Sequence, residues 1–130
     1  MSGDEISLTL PDDEAFHRVA HLVVGGLAVR LDLTFEHLED LELALDALLR
    51  RPLTEDVLTL RVQVLDGELR TTLGPFSPMR EELERGGVEA LNLARILHAV
   101  CDSVEIADRD GSEWVELTKR VQALKGGGGA

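Results

Sequence analysis

Leu58, Leu60, Val62 and Val64 alternate with Thr59, Arg61 and Gln63, and the alternation resumes after Asp66-Gly67 through Leu69, Thr71 and Leu73. A period of two puts apolar side chains on one face of an extended chain and polar ones on the other. Asp-Gly tolerates the positive φ angles of a two-residue turn, so the segment predicts a β-hairpin. The remaining elements must then cover one face of a sheet.

Ile6, Leu8 and Leu10 alternate with Ser7 and Thr9 before Pro11, which predicts a first strand that stops there. Asp12 and Asp13 can accept hydrogen bonds from free amides at a helix start. Phe16, Val19, Ala20, Val23, Leu27 and Leu31 then recur at helical spacing, predicting a helix over 13–31. Gly25-Gly26 lies inside it at a cost of about 1 kcal/mol per glycine, which close packing against another element is expected to offset. Thr34 is an N-cap for a second helix over 35–50, with Leu38, Leu41, Leu45 and Leu48 on one stripe and Pro52 ending it.

Beyond the hairpin, Gly74-Pro75-Phe76-Ser77-Pro78 breaks the pattern, and a long connection with a short helical turn at 81–85 leads to Gly86-Gly87. Val88, Leu91, Ala94, Leu97 and Val100 mark a further helix. Val104 and Ile106 open a strand that turns at 108–111, and the last strand carries Val115 and Leu117 inward. The order β-α-α-β-β-loop-α-β-β predicts an α/β (α+β) two-layer sandwich, a mixed five-stranded sheet with helices on one face. We expect a single domain over 1–121 and a flexible tail over 122–130, where Gly126 to Gly129 have free backbones.

Charge narrows the partners. With 25 Asp plus Glu against 13 Lys plus Arg, the net charge is −12, which disfavours direct binding to nucleic acid or anionic lipid. The single cysteine, Cys101, has no internal disulfide partner, and the acidic start lacks the regions of a secretory signal, so a cytoplasmic location is expected. The longest uncharged apolar stretch, 22–29, is far short of the roughly 20 residues of a membrane-spanning helix.

Few residues suggest chemistry. Asp13, His17 and His21 fall at i, i+4 and i+8, a spacing that suits a metal only if the fold adds further ligands; two surface histidines beside acidic neighbours explain it more simply. His37 and His98 have no nearby Cys or second His. Cys101 follows the apolar stripe at a helix end, where it serves as a small hydrophobe. No nucleophile elbow, H-E-x-x-H pair or Walker phosphate loop is present. Gly86-Gly87 at a helix start has free amides for an anion, and a helix entry turn explains the pair equally well.

Asp32, Glu36, Glu39, Asp40, Glu42 and Asp46 fall within 32–46, which holds no Lys or Arg. The second helix therefore has an acidic outer face. Solvation accounts for such a face by default, and docking of a basic protein segment is the sharper reading. Trp114 alternates out of phase with Val115 and Leu117, which places it on the sheet face away from the core, where it could anchor a dimer or partner interface.

The segments Ile6-Ser7-Leu8-Thr9-Leu10-Pro11, Phe16-His17-Arg18-Val19-Ala20-His21-Leu22 and Leu38-Glu39-Asp40-Leu41-Glu42-Leu43-Ala44-Leu45-Asp46 resemble the anti-sigma serine kinases of bacterial partner-switching systems. The resemblance implies the GHKL, or Bergerat, ATPase fold up to about residue 121. It also implies an ATP site that this chain has lost. Where the family carries a Glu and, four positions on, a magnesium-holding Asn, this chain has Ala47 and Arg51 or, one residue shifted, Asp46 and Arg50. A guanidinium offers donors and no lone pair for a metal.

The family's adenine-binding Asp-x-Gly-x-Gly motif corresponds here to Thr71-Thr72-Leu73-Gly74, with Thr72 in the acid's place and Gly74 kept. Its later Gly-x-Gly-Leu turn is replaced by Glu89-Ala90-Leu91-Asn92-Leu93, with Gly86 and Gly87 upstream. The resemblance therefore implies a non-catalytic GHKL-like regulator that needs no cofactor. As a homodimer it would bind a sigma factor or an anti-sigma antagonist-like protein, with Glu36, Glu39, Asp40, Glu42 and Trp114 as candidate contacts. The alternatives are an active serine kinase of that family using ATP and magnesium, or a structural accessory subunit that reuses the fold.

Overall fold

The computed structural model describes residues 5–30, 33–78, 80 and 87–121. Leu31, Asp32, the turn expected at 81–85, Gly86 and the tail at 122–130 lie outside them. The elements are β1 (Glu5–Pro11), α1 (Glu14–Arg30), α2 (Phe35–Leu49), β2 (Val57–Leu65), β3 (Glu68–Phe76), α3 (Val88–Val100), β4 (Ser103–Arg109) and β5 (Ser112–Arg120).

Local chemistry accounts for the boundaries. Asp13 Oδ1 accepts from the Ala15 amide at 2.9 Å, and Thr34 Oγ1 accepts from the His37 amide at 3.0 Å, so each side chain satisfies a helix-start donor. Asp66 and Gly67 take φ of 53° and 77°, and Asp110 and Gly111 take 53° and 81°. The two hairpins thus turn on the same Asp-Gly chemistry.

The sheet order is β1-β2-β3-β5-β4, and every neighbouring pair is antiparallel. The expected mixed sheet is corrected here, and the reason is topological. Two helices between β1 and β2 return the chain to the far end of the sheet, so β2 runs back against β1. The single helix α3 would make β4 a parallel neighbour of β3, but the β4–β5 hairpin inserts β5 between them.

One core joins the sheet to the helix layer, built around Leu45, Leu48, Leu58, Leu60, Leu73, Phe76, Leu97 and Val115. α2 buries Leu41, Ala44, Leu45, Leu48 and Leu49. α1 is rotated from the expected stripe: it buries Ala20, Val24, Leu27 and Ala28, while Phe16 stays 40% exposed near its start. In α3 the anchors are Leu93 and Leu97; Val88, in the opening turn, lies outside the core. Gly25 and Gly26 also differ from expectation, because no atom of another element lies within 4 Å of where a methyl would sit. Among the described residues, no helix is long and apolar enough to cross a membrane.

Candidate functional site

The second half of α2 and the neighbouring face of α3 leave a cleft between them. Leu45, Leu48 and Leu49 commit one side of α2 to the core, so Ala47, Arg50 and Arg51 are left for the groove beside it. Asn92, Leu93 and Ile96 line the α3 wall, and the cleft measures about 380 Å³. Arg50 Nη2 donates to Asp46 Oδ2 at 3.1 Å, an i,i+4 pair on the surface of α2. Asp46 lines the neighbouring groove with His17 and His21, whereas Ala47, Arg50 and Arg51 border the cleft beside α3.

The donor set decides which ion this cleft suits. Magnesium takes oxygen ligands in near-octahedral geometry. Of the described side chains lining the cleft, only Asn92 carries an oxygen, and two arginines bring positive charge instead. These residues do not fit a magnesium ion bound to nucleotide phosphates.

The other family positions are scattered. Alternation along β3 turns Leu69, Thr71 and Leu73 to the core and leaves Thr72 on the open face of the sheet, paired in register with Arg61 and Glu116. Thr72 therefore cannot serve the α2–α3 cleft. The core-facing polar residue at this level is Thr71, 2% exposed, opposite Val62 and Leu117. Gly74 has a structural role: a Cβ there would stand 2.6 Å from Trp114 Cδ2, so the indole lies where only glycine leaves room. Gly87 is the N-cap of α3 with extended backbone, and a Cβ there would meet nothing within 4 Å, so no close approach demands glycine.

Trp114 lies on the sheet face away from the helices and is partly buried, with the Arg109 guanidinium 5.8 Å from its ring centroid. Arg109 Nη2 also reaches Glu116 Oε2 at 2.6 Å. The acidic face of α2 divides in two. Glu36 and Glu39 are exposed beside exposed Phe35 and Leu43. Asp40 Oδ2 instead pairs with Lys119 Nζ at 2.9 Å, and Glu42 Oε2 lies 3.6 Å from His21 Nδ1.

His17 Nε2 is 3.1 Å from Asp12 Oδ1, while Asp13 is used as a helix cap. Asp13, His17 and His21 thus have separate tasks, and among the described residues no group of three His, Cys, Asp or Glu side chains could hold a metal. Cys101 is half-buried, and burial pushes its thiol up to about 11, against a smaller lowering by Lys119. That thiol stays protonated and behaves as a small apolar group.

Asn92 entered the sequence reading only within the segment that replaces the family's glycine turn, and Ile96 escaped it. Their signal was present: they fall one turn apart and out of phase with the buried Leu93 and Leu97.

The chain matches no protein-family model and no curated protein. It does match solved structures, among them the crystal structure of the RsbU and RsbW domains of Rv1364c from Mycobacterium tuberculosis, at a TM-score of 0.67. The identity is 13%, and the match covers 91% of this chain and 32% of that one. The chain thus spans about a third of that neighbour's length. At this identity the likeness establishes the fold alone, an α+β arrangement shared with that structure.

Proposed function

We propose that this chain is a non-catalytic, GHKL-like regulatory protein that binds a protein partner in anti-sigma or related partner-switching signalling in the cytoplasm. The observation that carries the reading is the α2–α3 cleft, where Ala47, Arg50 and Arg51 supply no ligand for the magnesium that phosphoryl transfer requires. The GHKL-like fold shared with an RsbW domain supports a partner from that signalling class, either a sigma factor or an anti-sigma antagonist.

Recognition needs a surface rather than chemistry, and the exposed face of α2 suits one. Glu36, Glu39 and Asp46 flank Phe35 and Leu43, so the face offers negative charge around apolar contacts to a basic segment. Asp40 is left out because Lys119 holds it. Self-association into a homodimer would have two strongly exposed apolar side chains on α1 to cover, Leu22 at 74% and Val29 at 84%.

The test is capture of the full chain's partners from its source cell with identification by mass spectrometry. A sigma factor or its antagonist is expected, lost with Glu36→Lys/Glu39→Lys, and with no phosphoryl transfer to the captured protein from ATP and magnesium. Measurable transfer, or a rise in melting temperature with ATP that depends on magnesium, overturns the non-catalytic reading. Capture unchanged by the lysine pair removes the α2 face.

A further inference from the structure

We propose that the open face of the sheet, over β2 and β3, docks an extended acidic segment of a partner protein, with Arg61 and Arg70 each taking one of two carboxylates spaced two residues apart. This surface lies on the far side of the sheet from α2, and the inference stands whichever protein the α2 face takes. Leu60, Leu73 and Val115 point to the helix layer, so the alternate residues of the same strands face outward.

A depression of about 190 Å³ opens on that outward face between Arg61, Arg70 and Arg109, with Gln63, Thr72 and Thr118 beside them. Among its described lining residues Glu116 is the one carboxylate, and Arg109 Nη2 offsets its charge at 2.6 Å. The chain as a whole carries −12, so this patch reverses the sign of its surroundings. Glu5 and Glu68 hold Arg61 and Arg70 at 3.4 and 3.2 Å from outside the depression. The two arginine side chains are 47% and 50% exposed, so these pairs are weak and an incoming carboxylate can join or replace them. A guanidinium fork with five donors has room for a second acceptor and matches a carboxylate in two bonds.

Size and register name the occupant. The depression is smaller than the roughly 300–1,000 Å³ of sites that enclose a whole organic ligand, and it suits the carboxylate ends of side chains. Arg61 stands opposite Thr72, and Gln63 opposite Arg70. The two arginines are therefore diagonal neighbours, roughly 7–8 Å apart on the sheet. In an extended segment, residues i and i+2 point the same way about 6.6 Å apart, whereas adjacent residues point to opposite sides. Acidic residues at alternate positions thus meet both forks. Trp114 shares this face, with the Arg109 guanidinium over its ring, and supplies an apolar shoulder beside the charges.

NMR titration of the full chain at low ionic strength tests the assignment, the probe being a synthetic peptide with glutamates at alternate positions among serines and threonines. Saturable amide shifts are expected, centred on Arg61, Arg70 and Thr72, and weakened by added salt. Arg61→Met/Arg70→Met should weaken binding at least tenfold, while Arg95→Met, on the exposed side of α3, should leave it unchanged. A peptide of the same composition with contiguous glutamates should bind less tightly. Should the double variant not fold, the wild-type shift map and the comparison of the two peptides decide. No saturable shift, shifts centred on α2 or α3, equal binding of both peptides, or equal loss with Arg95→Met each overturns the proposal. Binding that weakens as protein concentration rises would give the face to a second copy of the chain, and overturns it too.

Discussion

Lys119 Nζ stands 2.9 Å from Asp40 Oδ2 and donates at 2.8 Å to the carbonyl oxygen of Val100, so one ammonium joins β5 to α2 and to the end of α3. Lys119 is 15% exposed and Asp40 28%. The cation also sits where the last carbonyls of α3 favour positive charge. A carboxylate that sequence places on a solvated acidic face thus belongs to the internal scaffold.

Asp40→Asn should therefore destabilise the chain by about 1–2 kcal/mol, between the costs of exposed and fully buried pairs. In a double-mutant cycle with Lys119→Met, urea denaturation should give a coupling of about 1 kcal/mol. Purely additive effects would mean that the pair contributes nothing.

Gly74→Ala should cost about 1–3 kcal/mol, because a methyl at 2.6 Å from the indole forces a rigid ring or the backbone to move. In the background of Trp114→Ala the same change should be close to neutral. Equal cost in both backgrounds would locate the strain elsewhere.

Gly25→Ala and Gly26→Ala should each stabilise the chain by roughly 0.5–1 kcal/mol, since the space is open and alanine is the better helix former. Thermal unfolding at several protein concentrations is the check. A loss of stability that grows with protein concentration would show instead that a second chain packs on these glycines.

The Cys101 thiol holds its proton in the folded chain up to about pH 11, against a usual value of 9.0, because burial disfavours the thiolate. A raised folded value stabilises fully below the unfolded one and is lost as pH rises through the folded one. The difference in urea midpoint between wild type and Cys101→Ala should therefore be constant below pH 9 and shift against the wild type towards pH 11. Alkylation at pH 8 should be slow in the folded chain and fast in urea. A flat difference across the range would refute the shift.

Much of the architecture was legible because it is locally encoded. Both Asp-Gly turns, the Thr34 cap and the alternation of β2 depend on residues within a few positions of one another. That Ala47 and Arg51 offer no metal-binding lone pair was legible too, because it follows from side-chain type wherever the fold puts them. Less legible were the faces of helices carrying two overlapping apolar stripes. In α1, Val19 and Val23 compete with Val24 and Ala28, and packing on α2 settled the rotation.

The sequence by itself determined the order of the elements and the acidic surface of α2, since each follows from side-chain type and short-range spacing. Only the tertiary structure decided that β5 separates β3 from β4, that Thr71 faces the core where Thr72 does not, that Trp114 rests on Gly74, and that Lys119 claims Asp40. These relationships join residues far apart in the chain. Strand neighbours and the partners of buried charges are set by which surfaces exclude water together, and no local pattern carries that information.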